Sequence, residues 1–338
     1  MRHNTLQGKH LNTLKLLLLT ILLMSSLHAN DDRPPIKYNF LAKKAVQRFV
    51  NTLVKKYHFE RSYVTNVLKH AKLDRDTLAR YTGKYKVGST NGSWERYKAH
   101  VLDKSSLAKA KKFKKEYYKT LKRAEKTYNV DMDYIVGFMG VESKFGEYMG
   151  DYNILDALAT LAFHPNRMKK FFKNELKHLF LLSREKGYKI TTLEGSFAGA
   201  MGCVQQVPSV ARKHRSDFNA DGVTNPWDVV DCIGSIAKFM HKQGWQKGLP
   251  VVSATNFKGK RFRAAKTSRK KSKSLKSIKR LGIYPTQKFY GKKAYLLKTR
   301  NNSHDDVWLG SKNFRVLVRY NNATTYAMAI HLVAEHVK

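Results

Sequence analysis

Residues 137–147 read GFMGVESKFGE. On a helix beginning near Met132, the residues Ile135, Phe138, Met139 and Glu142 share one face by i, i+3, i+4, i+7 geometry. A carboxylate therefore stands where aromatic and thioether side chains point. The spacing predicts a helix over 132–143, with Asp131 capping its start and Gly146 closing its end in a left-handed conformation. An unpartnered buried carboxylate is costly, so it tends to raise its pKa and keep its proton. A neutral carboxylic acid in a cleft is what protonating a glycosidic oxygen requires. Periodicity by itself favours the blander alternative, a carboxylate paired with a lysine or set at the solvent edge of the stripe, because structural ion pairs perturb pKa as well.

Outward from this stretch, most of the chain carries helical spacing. LAKKAVQRFVNTLVKKY and SYVTNVLKHA place apolar residues three and four apart, and AKAKKFKKEYYKTLKRAEKTY reads as one long basic helix with a single apolar stripe. MKKFFKNELKHLFLLSREK, VVDCIGSIAKFMHKQG and TTYAMAIHLVAEH continue the pattern. From Gly248 to about Val318 the texture changes to short apolar and aromatic runs between turn residues: LPVVSATNF, KKAYLLKT, DVWLG and FRVLVRY. These read as strands. The expected fold class is α+β, mainly α-helical, with one small β-rich insertion. Inside that insertion Lys258–Arg280 holds twelve basic residues and no acid. Such a block is expected to stay solvated and mobile, the alternative being contact with an anionic polymer.

The 338 residues, 42% hydrophobic, suffice for one large core or two to three smaller ones. Lys and Arg number 65 against 25 acids, a formal charge of +40. A field of that sign attracts polyanions in general without choosing among nucleic acid, anionic lipid and acidic wall polymer. The start of the chain is more selective. Arg2, Lys9 and Lys15 precede an apolar run from Leu16 to Met24, then small and polar residues to Ala29. That run is about half the roughly 20 residues a bilayer span needs. A cleaved signal peptide over 1–29 is expected, leaving a mature chain of +37, exported to the periplasm and soluble. No cysteine stands near the cut, so a lipid anchor is not expected. Cys203 and Cys232 are the only cysteines; an oxidising compartment permits a bridge, but sequence leaves their pairing open.

Residues 217–228, DFNADGVTNPWD, fit the calcium-loop template D-x-[DN]-x-[DN]-G over its first six positions. Asp217, Asn219 and Asp221 would give side-chain oxygens, Val223 a backbone carbonyl, and Gly222 the sharp turn. Asp228 holds the twelfth position, where the template has Glu, so its shorter side chain must reach further.

GVESKFG followed after fifty residues by GSFAGAMGCVQQVPS resembles the lytic transglycosylases with a goose-type-lysozyme-like core, and more closely the membrane-bound lytic murein transglycosylase B family. ILDALATLAF, VWLGSKNF, VRYNNATTYAMAI, WERY (Trp94–Tyr97) and LKRAEKTYNV extend the resemblance over nearly the whole chain from about Phe49. The resemblance implies a lysozyme-like core with an extra helical region, and cleavage of the β-1,4 bond between N-acetylmuramic acid and N-acetylglucosamine with formation of 1,6-anhydromuramic ends. It implies that Glu142 is the single acid/base, assisted by the substrate's acetamido group, with no catalytic cofactor. Ser196 would hydrogen-bond the catalytic carboxyl, and Gln205 would contact the sugar. Tyr97, Tyr320, Asn321 and Tyr326 would line the cleft, and Arg167 would meet a substrate carboxylate. The family's EF-hand-like loop implies a structural calcium ion at 217–228.

On this basis the expected organisation is a helical region at 30–125, a catalytic core with the cation loop at 126–247, a β-rich subdomain at 248–318, and a cleft segment with a final helix at 319–338. Peptidoglycan glycan strands are the expected partner, with cell-wall machinery as further candidates and no nucleic acid. Two other readings stay open: a muramidase that hydrolyses instead of cyclising, and a non-catalytic basic wall-binding protein.

Overall fold

The computed structural model describes residues 34–82 and 92–338; the signal segment expected at 1–29 lies outside them. In chain order the helices are α1 (Lys44–Tyr57), α2 (Arg61–His70), α3 (Arg75–Tyr81), α4 (Ser93–Val101), α5 (Lys104–Glu116), α6 (Tyr118–Tyr128) and α7 (Met132–Ser143). They continue with α8 (Ile154–Phe163), α9 (Lys169–Lys186), α10 (Pro208–His214), α11 (Val229–Lys242), α12 (Leu275–Arg280), α13 (Lys312–Tyr320) and α14 (Thr324–Val337). The strands are β1 (Ile36–Lys37), β2 (Lys72–Leu73), β3 (Tyr152–Asn153), β4 (Glu194–Gly195), β5 (Val252–Phe257), β6 (Lys273–Ser274), β7 (Ile283–Pro285), β8 (Lys293–Arg300) and β9 (Asp305–Gly310). The class is α+β and mainly helical. By internal contacts the described residues form two compact units, 34–82 with 146–232 (unit I) and 92–145 with 233–338 (unit II).

Unit I is built around α8. All ten of its residues are buried, as the sequence ILDALATLAF demands, and Asn153 caps it by accepting the Asp156 amide at 3.1 Å. The rings of Phe49 on α1 meet Phe163 and Phe180 edge-on at 5.6 and 6.1 Å. Two antiparallel ribbons close the unit, β1 with β2 and β3 with β4.

Unit II centres on α7 against α14. Gly137 is what lets them meet: a Cβ there would lie 2.5 Å from the Ile330 carbonyl oxygen. Lys114 of α5 ties to α7 through Asp133 at 2.7 Å. A five-stranded antiparallel sheet, order β6-β8-β9-β5-β7, forms the rest, with Leu296 opposite Leu309 and Ala254 opposite Trp308. Ile278, Ile283, Ala294, Leu296 and Leu309 make its core.

Several expectations are corrected. The long basic helix is two helices, broken at Tyr117 (φ −98°, ψ 18°). FRVLVRY is helix α13: Phe314, Leu317 and Val318 are buried at helical spacing, and Ser311 accepts the Asn313 amide. Its valines alternate only because helical and strand periods coincide over so short a run. Asp131 precedes α7 but makes no side-chain cap; its carboxylate instead accepts Trp245 Nε1 at 2.7 Å and the Gly248 amide. Lys144, not Gly146, is the left-handed residue that ends α7. Lys258–Arg280 is ordered, containing β6 and α12, with Ile278 wholly buried. Apolar residues between the lysines anchor it, which a count of charges does not register.

Candidate active site

Glu142 occupies the last turn of α7 and is 5% exposed. The helix is buried on nearly every side, from Tyr134 to Met139 and again from Val141 to Ser143, so the carboxyl has apolar surroundings and no basic residue as an ion-pair partner among the described residues. Tyr326 on α14 donates its hydroxyl hydrogen to Glu142 Oε1. Glu142 Oε2 has no hydrogen-bond partner among the described residues. Burial pushes the Glu142 pKa up from 4.5 to about 8, and the Tyr326 hydrogen bond pulls the other way. The carboxyl is thus mostly protonated at neutral pH, with its proton on the oxygen that Tyr326 leaves alone. The lysine-paired alternative does not hold.

Aromatic rings frame this group. Tyr320 and Tyr326 lie nearly parallel, 6.4 Å between centroids, and Phe138, one turn before Glu142, meets them at 5.1 and 6.4 Å. Phe239 packs on Tyr320 at 4.8 Å. Tyr97 is buried, and both burial and the neighbouring Glu142 raise its pKa. The structure therefore brings Glu142, Tyr97, Tyr320 and Tyr326 together. Asn321, next to Tyr320 in sequence, is 1% exposed, and its Oδ1 has no hydrogen-bond partner among the described residues; the same holds for Oδ1 of Asn322, 4% exposed, which the sequence reading missed. Two cavities of unit II, 630 and 350 Å³, are lined by other residues, among them Lys111 and Tyr118 in one and Trp308 and His331 in the other.

Ser196 and Gln205 belong to unit I, in the loop from Gly195 to Val207. Ser196 Oγ accepts the amides of Ala198 and Ala200 at 3.3 and 3.1 Å, the turn-making role open to a serine among glycines. Gln205 is buried with a left-handed backbone (φ 45°), and its Nε2 donates to the carbonyls of Met149 and Gly202 at 2.8 and 2.9 Å. The loop is pinned at several points that carry no motif. The Arg80 guanidinium lies 4.7 Å from the Phe197 ring centre, and Glu175 accepts the Ser209 amide and hydroxyl. Cys203 is bonded to Cys232, 29 residues on, and donates its amide to the Pro226 carbonyl at 3.0 Å. Gln206 is 1% exposed, and neither of its amide atoms has a hydrogen-bond partner among the described residues. Arg167 is exposed in the turn between α8 and α9, with no ion-pair partner among the described residues.

The 217–228 loop folds on itself. Asp217 accepts the Asp221 and Gly222 amides, Asn219 accepts that of Asp221, and Asp221 accepts that of Val223; Gly222 turns at φ 87°. Asp228, at the loop's end, accepts the Asp231 amide on one carboxylate oxygen at 2.9 Å, and none of the loop amides above donates to it among the described residues. Asp231, 2% exposed, faces the loop instead and accepts the amides of Phe218, Asn219 and Asn225. Helical spacing hid this residue, which reads as the first turn of α11. Among the described residues no group of three or more His, Cys, Asp or Glu is set to hold a metal. The oxygen donors of Asp217, Asn219, Asp221 and the Val223 carbonyl suit a hard cation; Asp228 as placed does not join them.

Residues 41–335 match the Transglycosylase SLT domain family. The chain is 34% identical over 306 residues to the membrane-bound lytic murein transglycosylase B of Escherichia coli (strain K12), covering 88% of this chain and 84% of that one. The Escherichia coli lytic transglycosylase Slt35 in complex with bulgecin A superposes with a TM-score of 0.83 at 32% identity, covering 90% of this chain and 95% of that chain. The same enzyme solved in complex with calcium gives 0.82 at 32% identity, with the same coverage.

Proposed function

The chain belongs to the transglycosylase SLT domain family and is a peptidoglycan lytic transglycosylase, and from that premise we propose that Glu142 alone performs its acid/base chemistry. Bound between N-acetylmuramic acid and N-acetylglucosamine, the β-1,4 bridging oxygen takes the Glu142 proton as the bond breaks. The muramic acetamido group supports the developing positive charge, so no second carboxylate need stand opposite. Glu142, now ionised and accepting from Tyr326, removes the proton of the C6 hydroxyl as that oxygen closes on C1. The product is a 1,6-anhydromuramic end, and Glu142 is returned protonated.

The observation that carries this reading is the buried carboxyl itself, its pKa raised by burial to about 8 and, among the described residues, hydrogen-bonded on one oxygen only. A donor near pKa 8 gives up its proton readily in the transition state yet holds it beforehand. Asn321, with its unpartnered amide oxygen, and Tyr97 and Tyr320 are the groups we assign to the substrate beside Glu142. On the family resemblance alone, Ser196, Gln205 and Arg167 are also assigned to the substrate.

Glu142→Gln tests it, since the amide keeps the shape and loses the acid. Folding and sedimentation with purified sacculi should persist while release of soluble fragments falls by at least about a thousandfold, as loss of general acid catalysis with its base step implies. Undiminished release would remove Glu142 from the chemistry and place the acid elsewhere in the enzyme.

The 217–228 loop is proposed to hold a calcium ion through Asp217, Asn219, Asp221 and Val223, with a structural role. The chain is proposed to act in the periplasm. Among the described residues no helix is long and apolar enough to cross a membrane, and the apolar run at 16–24 has signal character.

A further inference from the structure

Residues 250–311 hold seventeen Lys and Arg against two acids, Asp305 and Asp306. Those two are already engaged, Asp305 with Lys298 at 2.8 Å and Asp306 with His304 and Asn301. Twelve of the cations fall within Lys258–Arg280, and none of their side chains makes an ion pair or hydrogen bond among the described residues. Ten are exposed: Lys258, Lys260, Arg261, Arg263, Lys266, Lys270 and Lys271, then Lys276, Lys279 and Arg280.

A charge block kept only for solubility would be cheapest as a loose arm, where like charges spread apart. Here the chain does the opposite. Phe262, Ala265, Leu275 and Leu281 pack on the sheet core around Ile278. Backbone bonds stitch the segment down at three points: Lys258 N to Gly282 O at 2.8 Å, Ser268 N to Leu296 O at 2.8 Å, and Leu275 N to Lys292 O at 2.9 Å. The repulsion of a dozen cations is thus held in a folded frame, and a partner would meet them without first ordering the backbone. Beside them stand two exposed rings. Phe257, 40% exposed, stacks on Phe262 at 4.4 Å, and Tyr290 is 57% exposed. Such rings suit the faces of sugars.

We infer that this face of the β-sheet subdomain is a second peptidoglycan-binding surface, separate from the residues around Glu142, whose cations take the free carboxylates of the stem peptides and whose rings rest on the glycan. It rests on the reading above that peptidoglycan is the substrate. Its work is to hold the enzyme on the wall between cleavage events.

The test uses the full chain carrying Glu142→Gln, so that binding is read without cleavage. Lys266, Lys270, Lys271 and Lys276 are changed to Gln together, and in a control the exposed unit I residues Lys55, Lys56, Lys69 and Lys186 are changed instead. Both proteins lose the same charge. Co-sedimentation with sacculi over a salt series should weaken at least about tenfold for the first, with a shallower salt slope, and under about twofold for the control. Sacculi whose carboxylates have been converted to amides should bind both equally weakly. With Glu142 restored, cleavage of a short soluble glycan should be unchanged in the first variant, which separates this surface from the catalytic reading. Equal weakening in the two variants, undiminished binding to amidated sacculi, or tighter binding of duplex DNA than of sacculi at the same salt would each overturn the inference.

Discussion

Tyr326, on α14, hydrogen-bonds Glu142, on α7, and is the only described residue that does so. The contact depends on the close approach of the two helices at Gly137 and Ile330. It also opposes the burial around it: the apolar setting favours the neutral acid, and the phenol favours the carboxylate. Glu142 is thereby poised to act first as acid and then as base.

The pH dependence follows from burial. Since Glu142 must be protonated to begin, kcat/KM should be sustained below pH 8 and fall as pH rises through about 8. The same shift bears on stability. Between 4.5 and about 8 the folded chain holds this proton more tightly than the unfolded chain, so the residue costs stability as pH rises through that window. A rate profile that declines already near pH 5 would mean an ordinary solvated glutamate.

Tyr326→Phe removes the one donor that stabilises the ionised carboxylate. The alkaline limb should move upward by about one to two units, from a charge-assisted bond of roughly 1.5–3 kcal/mol. The turnover number should drop as well, because the base step loses its support. A limb that moves downward would show that the hydroxyl serves the neutral acid instead.

Gly137→Ala inserts a methyl where the Ile330 carbonyl stands 2.5 Å away. Overpacking of this kind costs about 1–3 kcal/mol, partly offset by about 1 kcal/mol of helix propensity. A lowered Tm with a larger loss of activity is expected, since α7 and α14 must separate to admit it. Unchanged Tm and activity would show that the helix contact is slack.

How much of this the sequence carried depends on the kind of signal. Helix 132–143 and the placement of Glu142 were legible because Ile135, Phe138, Met139 and Glu142 fall at helical spacing, although burial in fact extends round almost the whole helix. The break at Tyr117 was not, because the residues on either side are equally good helix formers. FRVLVRY satisfied two periods at once, and only its packing separates them. Asp131 carried a cap's identity, yet its carboxylate is held by Trp245 and Gly248, more than a hundred residues away in sequence. Asp231 and the Cys203–Cys232 bond depend on such pairings too, and no local pattern announces them.

Asp231 and Asp228 should behave differently. Asp231→Asn weakens three amide contacts to the cation loop, one buried and two half-buried, so it should lower Tm even with chelator present. Asp228→Asn, which touches only the start of α11, should cost under about 1 kcal/mol. Added calcium should raise Tm in the parent by the mass-action amount for its affinity and fail to do so in Asp217→Ala. A parent chain whose Tm ignores both calcium and chelator would leave the loop a plain turn.

Reduction should loosen unit I. Cys203 and Cys232 close a loop of 29 residues, and opening it costs about 3.6 kcal/mol in the chain-entropy account. Melting with and without a reductant, beside the Cys203→Ala/Cys232→Ala double variant, reads this directly. Coincident melts would show the bond to be dispensable.

The most direct trial of single-glutamate cyclising chemistry is mass spectrometry of the muropeptides released from purified sacculi by the parent enzyme and by Glu142→Gln. The account predicts 1,6-anhydromuramic ends from the parent, one water lighter than reducing ends, and neither product from the variant. Reducing muramic ends from the parent, or anhydro ends persisting in the variant, would contradict it.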